Sequence, residues 1–236
     1  MINFEAAVPQ LVLIAILMWL VVDYFRRFPN PPRLTRPFLS PEKRWPVRQL
    51  WEWIEDGKPD PGFIRFFMRD PDRKDPSEPG LTSPVDGTVL DDICRDGRRY
   101  LVISLNVWDV HVARSPCSGQ VHAIHDHGDV IETNREDPLR DEPFYFLREK
   151  ASPKQKYLEV ASDWGTIRVR FITSYLSRRI EFFCSELASL ERGQRIGRML
   201  FGSTCVLEFD DKFKSRVERN ARVIGGETIV VGGVPK

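Results

Sequence analysis

The stretch GRMLFGSTCVLEF, Gly197 to Phe209, places a Gly-Ser-Thr step directly before a mostly apolar run. Gly and Ser are typical of turns, whereas a short run of apolar and β-branched residues behind a turn is typical of a strand. The run TCVLEF therefore predicts a β-strand that begins at Thr204. Ser203 is either an ordinary turn residue before this strand or a reactive one.

Similar short runs recur along the chain from Thr82 onward, each bounded by Gly, Pro, Asp or Asn. They predict a succession of strands, while residues 174–190 fit either a strand or a short helix. No G-x-G-x-x-G, P-loop or βαβ alternation accompanies them, which argues against a nucleotide-binding α/β fold. The predicted class is α+β, mainly antiparallel β, barrel- or sandwich-like with lipoyl-like half-barrels and a few helices. The runs are GTVLDDI, YLVISLNV, SGQVHAI, YLEVA, GTIRVRFI and ETIVVGG.

Composition restricts the class of protein further. Apolar residues make up 42% of the chain and charged residues 29%, as in globular proteins. The net charge of +1 favours no nucleic-acid partner. The four cysteines are widely spaced and form no C-x-x-C pair, which predicts reduced thiols in a cytoplasmic compartment.

The N-terminus differs from the rest of the chain. Leu11–Val22 is unbroken apolar sequence, whereas a helix needs about 20 such residues to cross a bilayer. Glu5 precedes the run, basic residues follow it, and aromatic residues lie near its end. We expect residues 1–28 to form a hydrophobic anchor helix at the cell membrane, with the following chain on the cytoplasmic side. The anchor either spans the membrane or lies in it, and the alternative is a buried core helix.

The segment after this anchor divides into a linker and short helices. Phe28–Pro46 is rich in Pro and Arg and predicts an extended linker, because proline disfavours helices and central strands. The stretch PVRQLWEWIEDG, Pro46–Gly57, predicts a short amphipathic helix with Gly57 as its stop. The predicted domains are the anchor 1–28, a linker with short helices 29–80, and a β-rich catalytic domain 81–236.

Histidines mark two motifs that could carry chemistry. His111 lies within NVWDVHVARSPCSGQV, Asn106–Val121, with Asp109 close by. In HAIHDHGD, His122–Asp129, alternate histidines would share a strand face, but no further closely spaced Cys or His completes a metal site. We expect an exposed hairpin there and no metal ion. A third motif, SPVDGTV at Ser83–Val89, is explained by turn chemistry alone.

Five motifs together resemble the phosphatidylserine decarboxylase proenzymes, especially their short membrane-associated form. They occur in the family's order and with its spacing between about Phe66 and Val231. The motifs are FFMRDPDR, SPVDGTV, NVWDVHVARSPCSGQV, LERGQRIGRMLFGST and ARVIGGETIVV.

The resemblance implies a self-cleaving decarboxylase. The chain would cut itself between Gly202 and Ser203, giving a β chain of residues 1–202 and an α chain of residues 203–236 that remain together as a heterodimer. Ser203 would become a covalent pyruvoyl group, the cofactor that serves as an electron sink. His111, oriented by Asp86, would be the base for cleavage and would later return a proton. The mature reaction would convert phosphatidylserine into phosphatidylethanolamine and CO2.

One departure from the long-form pattern and one from the short-form pattern, with several alternatives, remain open. Arg114 stands where long-form members carry a second histidine, so His122, His125 or His127 could contribute, and Thr204 is a long-form trait. Arginines 114, 178 and 179 are either ligands of the lipid phosphate or carboxylate, or ordinary surface and ion-paired residues. The expected partners are a phospholipid and a membrane, with a higher oligomer left open. Alternative functions are a membrane-tethered lipoyl-like binding module without catalysis, or the same chemistry on an ether lipid or a soluble amino acid.

Overall fold

The computed structural model describes residues 4–26, 39–128, 144–147, 152–172, 179–200 and 204–233. The chain divides into two compact units, Met1–Ile64 and Arg65–Lys236. Residues 65–80, which the sequence groups with the linker, therefore belong to the larger, β-rich unit.

The first unit is helical. It contains α1 (Phe4–Arg26), α2 (Pro41–Arg44), α3 (Val47–Asp56) and the beginning of α4 (Pro61–Phe67). The prediction of α3 is confirmed, and Gly57 follows it with a φ of +64°, the left-handed geometry that ends helices. The expectation of an extended linker through Pro46 is wrong at α2. Pro41 is the first residue of that helix, where a missing N–H costs nothing.

Helix α1 exposes almost all of its apolar side chains from Val8 to Val22. In the described part of the chain, no helix is both long enough and apolar enough to cross a membrane.

The described residues of the second unit form thirteen strands, and every pairing between these strands is antiparallel. In chain order they are β1 (Gly80–Thr82), β2 (Gly87–Arg95), β3 (Arg98–Ser104), β4 (Val112–Arg114), β5 (Gly119–His127), β6 (Gln155–Ser162), β7 (Gly165–Ile172), β8 (Arg179–Phe182), β9 (Ser189–Leu190), β10 (Arg195–Leu200), β11 (Thr204–Asp210), β12 (Arg222–Val223) and β13 (Ile229–Gly232). An eight-stranded curled sheet has the order β12-β2-β3-β11-β7-β6-β5-β9, and smaller sheets have the orders β4-β10-β8 and β1-β13. The predicted class, α+β with mainly antiparallel strands, is confirmed.

Strand β11 lies at the centre of the large sheet, between β3 and β7. Cys205, Leu207 and Phe209 belong to the main core, whereas Val206 packs in a second cluster with Tyr100. Burial on both faces is the reason that this strand is almost continuously apolar. The carboxylate of Glu208 in this strand is also fully buried, and Arg170 donates a hydrogen bond of 2.6 Å to its Oε1.

Each predicted run coincides with or overlaps a strand, whereas the short strands β1 and β12 were not predicted. GTIRVRFI coincides with β7, and TCVLEF with the first residues of β11. Strand β10 was not predicted, because its polar and apolar residues do not alternate cleanly and its partners β4 and β8 are short. In the ambiguous stretch 174–190 the described part contains β8 and β9, and residues 173–178 lie outside the described residues.

Candidate active site

The five sequence motifs converge within the second unit. Arg114 donates its backbone N–H to the carbonyl of Pro84 at 2.8 Å, which joins two of them. The N–H of Gly226 reaches the carbonyl of Ser83 at 2.8 Å and adds the C-terminal motif. The motif LERGQRIGRMLFGST, which contains the predicted cleavage bond, contacts the His111 motif through the pairing of β10 with β4. Residues that are distant in sequence are therefore close together around His111.

His111 lies at this place, directly before β4, and is only 2% exposed. Its Nδ1 is 2.9 Å from the backbone carbonyl oxygen of Asp109. Because a carbonyl oxygen can only accept, Nδ1 must carry the proton, and in the neutral ring Nε2 then carries the lone pair. The ring of Phe67 packs against the imidazole with a centroid separation of 4.2 Å.

Burial lowers the pKa of His111 from its usual 6.5 to about 4. The hydrogen bond to the Asp109 carbonyl and the charge of Asp109 oppose this shift, while the charge of Arg69 reinforces it. The imidazole is therefore neutral near pH 7, with Nε2 able to accept a proton. This is the state that a general base requires.

Asp109 holds the turn before His111 in place. The carboxylate accepts the backbone N–H of Asn106 at 2.7 Å and is paired with the guanidinium of Arg222. These contacts orient the peptide carbonyl that binds Nδ1 of His111. The sequence offered one signal for this role, an aspartate two residues before the histidine, but no indication of Arg222.

Asp86 is held by a different set of groups. Nη2 of Arg73 lies 2.9 and 2.8 Å from the two carboxylate oxygens, and the backbone N–H of Gly225 lies 2.8 Å from Oδ1. In the part of the chain that the structure describes, no hydrogen bond joins this carboxylate to His111. The role of Asp86 in orienting His111 stays a prediction, and Arg73 is a partner that sequence reasoning missed.

Gly202 and Ser203, the predicted cleavage site, lie outside the described residues, but the strands on both sides are described. Strand β10 ends at Leu200, and the N–H of Met199 donates to the carbonyl of His111 at 3.1 Å. Strand β11 begins at Thr204, which is buried and pairs with Ser104 and Ile172. The strand before the predicted bond is thus attached directly to the segment of the candidate base.

The structure separates the arginine candidates. Arg114 is buried and donates to the carbonyls of Gly193 and Pro71 and to Asp70, so internal acceptors occupy its guanidinium. Arg179 is exposed and pairs with Glu181 at 2.7 Å. Arg178 lies outside the described residues.

The histidines of the HAIHDHGD motif are part of strand β5. His125 stacks on Tyr157 with ring centroids 4.6 Å apart, and His122 and His127 are exposed. Among the residues that the structure describes, no group of three His, Cys, Asp or Glu side chains could hold a metal ion.

The sequence motifs of this site also occur in a region of the chain that matches known proteins. A family model described as phosphatidylserine decarboxylase matches residues 62–231, which include all five motifs. A phosphatidylserine decarboxylase proenzyme of Solibacter usitatus is 32% identical over 71% of this chain and 78% of its own length. A putative archaetidylserine decarboxylase proenzyme of Methanosarcina mazei is 34% identical over 70% of this chain and 73% of its own length.

These matches define the class of protein as carboxy-lyases that are made as proenzymes. The chain belongs to the phosphatidylserine decarboxylase family. The resemblance inferred from the five motifs is therefore confirmed.

Proposed function

We propose that this chain removes CO2 from the serine headgroup of a phospholipid after cutting itself between Gly202 and Ser203. The observation that carries the proposal is the neutral, buried His111, whose backbone is hydrogen-bonded to the strand leading to that bond. Membership of the family supports the reaction class. The products would be an ethanolamine phospholipid and CO2.

His111 is suited to starting the cleavage. A serine hydroxyl is a weak nucleophile until a base takes its proton, and Nε2 of the neutral His111 can act as that base. The Ser203 oxygen would attack the Gly202 carbonyl carbon, and the Gly202–Ser203 peptide bond would break as an ester forms. Loss of the α-proton of residue 203 then expels the carboxyl end of residues 1–202. Hydrolysis of the dehydroalanine that remains releases ammonia and leaves a pyruvoyl group at position 203.

The residues that follow the bond fit a pyruvoyl group at position 203. Thr204 and Cys205 are buried in the central strand β11, which would hold the new N-terminus rigidly near the His111 segment. The group itself would supply an electron sink for the charge left when CO2 departs. His111 has a pKa of about 4, so it must first accept a proton before it can return one to the product.

The substrate is a serine phospholipid with either ester-linked or ether-linked tails. One relative is named for phosphatidylserine and another for archaetidylserine, and their alignments cover 71% and 70% of this chain, respectively. We propose phosphatidylserine first and the ether lipid second.

We also propose that the enzyme works at the cell membrane, with its catalytic unit on the cytoplasmic side. The support is the exposed apolar surface of α1, which suits contact with lipid. The two cleaved chains would stay together, because β11 of the α chain pairs with β3 and β7 of the β chain.

The intact mass of the purified chain tests the proposal, since it reports cleavage and the pyruvoyl group together. We expect two fragments, the second beginning with a blocked residue 203. Ser203→Ala and His111→Ala should remain one chain, whereas His127→Ala, which changes an exposed histidine on β5, should mature normally.

An uncut wild-type chain that nevertheless decarboxylates would refute the mechanism. An uncut and inactive wild type would instead favour the binding-module alternative.

Asp86→Asn tests the predicted orienter separately. We expect a folded but uncut chain. Arg73→Gln serves as its counterpart, because it removes the observed partner of Asp86 and leaves the carboxylate in place. If Asp86→Asn and His111→Ala both mature at the wild-type rate, the assigned base and its orienter are wrong.

A further inference from the structure

Arg69 lies at the edge of the candidate active site, just after α4. Its Nη1 donates to the Phe66 carbonyl at 2.9 Å and its Nη2 to the Trp108 carbonyl at 2.6 Å, and its guanidinium lies 3.8 Å from the centroid of the Phe66 ring. Trp108 lies within the turn that leads to His111, and Phe67 packs on the His111 ring. These contacts fix the guanidinium beside the candidate base.

Arg69 differs from the arginines around it in its charge balance. Arg73 is paired with Asp86, and Arg114 and Arg195 are both paired with Asp70. Arg69 is half-buried, yet in the described ranges no carboxylate lies within ion-pair distance of it. Burial lowers the pKa of this arginine, and the charge of Arg73 adds to that shift, while the charges of Asp86 and Asp109 oppose it. Because burial has the largest effect, these two acids compensate only part of the cost of desolvating the guanidinium, and binding an anion would offset more of that cost.

The guanidinium also has donors to offer. Two of its N–H groups reach backbone carbonyls, whereas a guanidinium carries five donors in a planar fork that matches the oxygens of phosphate and carboxylate groups. A serine phospholipid presents both of these anions in its headgroup. The carboxylate loses its charge as CO2 leaves, so an arginine paired with it would stabilise the ground state more than the transition state. The phosphodiester keeps its charge throughout the reaction.

We propose that Arg69 binds the phosphodiester of the lipid headgroup and so positions the serine part at His111. This inference rests on the proposed function, because it takes the substrate class from there. It gives a substrate-binding role to Arg69, which lies in the motif FFMRDPDR but was not among the candidate site residues.

Binding of two soluble probes to the purified full-length chain tests the proposal by calorimetry. Glycerophosphoethanolamine carries the phosphodiester without the carboxylate, and L-serine carries the carboxylate without the phosphodiester. We expect Arg69→Gln to weaken binding of glycerophosphoethanolamine by about 10- to 100-fold, the range for a lost charge-assisted hydrogen bond, and to leave L-serine unaffected. Arg69→Lys should restore part of the loss, because a lysine keeps the charge but not the fork.

Arg65→Gln is the matched control, because it removes the same charge from an exposed position on α4. It should bind both probes as the wild type does. The proposal is overturned if Arg69→Gln weakens binding of L-serine only, or weakens binding of neither probe. It is also overturned if binding of both probes weakens together with a lower melting temperature, because the variant is then less stable as a whole. Inorganic phosphate as a third probe should bind more weakly than the diester, and equal binding would show a general anion site instead. Since binding is measured without turnover, a wild type that binds the diester but decarboxylates no lipid would refute the proposed function and leave the Arg69 assignment standing.

Discussion

At the scale of single residues, the chemistry depends on how His111 is buried. Its Nδ1–H is bound to a backbone carbonyl, and the ring is packed against Phe67. This carbonyl oxygen fixes the tautomer of His111 with the proton on Nδ1, and it places no negatively charged group next to Nδ1. Desolvation therefore outweighs the nearby acid Asp109, and the pKa falls rather than rises.

This shift predicts a pH-dependent stability. In the unfolded chain His111 binds a proton near its usual pKa of 6.5, but in the folded chain only near pH 4. Unfolding between these values takes up a proton, so the stability linked to His111 is present above pH 6.5 and is lost as the pH falls toward 4. The loss should reach about 3 kcal/mol.

Urea denaturation at pH 7 and pH 4.5 measures this effect, with Ser203→Ala as the background so that the chain stays in one piece. Adding His111→Gln should remove most of the His111-linked loss. His122→Gln changes an exposed histidine on β5 and should keep the full pH dependence. An identical loss of stability in the background and in the His111→Gln chain would show that this residue does not titrate as described.

At the scale of elements, the segment Met68–Pro79, here called the strap, connects α4 to β1. Its prolines exclude regular structure, and side-chain pairs attach it to the β-rich unit. Asp70 pairs with Arg114, and Asp75 with Arg192. Arg192 also donates to the carbonyls of Pro76, Glu78 and Gly80. The strap begins next to Phe67, whose ring packs on His111.

Arg192→Met should loosen the strap. The variant loses several hydrogen bonds at once, but Asp75 is 54% exposed, so we expect a modest loss of about 1–2 kcal/mol. Limited trypsin digestion should then cut after Lys74 faster than in the wild type. Arg219→Met, at an exposed position, is the control and should leave this cut slow. Unchanged digestion at Lys74 in Arg192→Met would mean that other contacts hold the strap.

At the scale of the whole molecule, the two units have different surfaces. The β-rich unit buries most of its apolar side chains in two clusters, whereas α1 exposes Ile14, Leu17 and their neighbours. An exposed apolar surface of this kind is typical of a binding surface for a protein partner or a membrane. The lipid substrate of the proposed reaction favours the membrane.

Replacing Ile14 and Leu17 together by lysine should abolish co-sedimentation with phospholipid vesicles. A lysine at the centre of an inserted helix costs about 3 kcal/mol, so two should reduce partitioning by at least about 100-fold. Cleavage at residue 203 should continue, because His111 and the strands around the bond belong to the other unit. Gln10→Lys adds a charge without removing apolar surface and should have a smaller effect. Full vesicle binding by the double variant would exclude α1 as the membrane contact.

Local sequence patterns were enough to predict the strands with strong signals, the family and the candidate base. A buried central strand such as β11 is apolar whatever its partners are, and His111 stands in a motif that is recognisable without coordinates. The apolar run of β11 and the motif around His111 consist of residues that are neighbours in sequence, so a sequence pattern reveals them.

The contacts that set the chemistry are visible only in the folded chain. Arg222 reaches Asp109 across 113 residues, and Arg192 reaches Asp75 across 117. No local pattern encodes which arginine meets which acid, because those pairs form only when the sheets assemble. The low pKa of His111 has the same origin, since desolvation depends on everything packed around the ring.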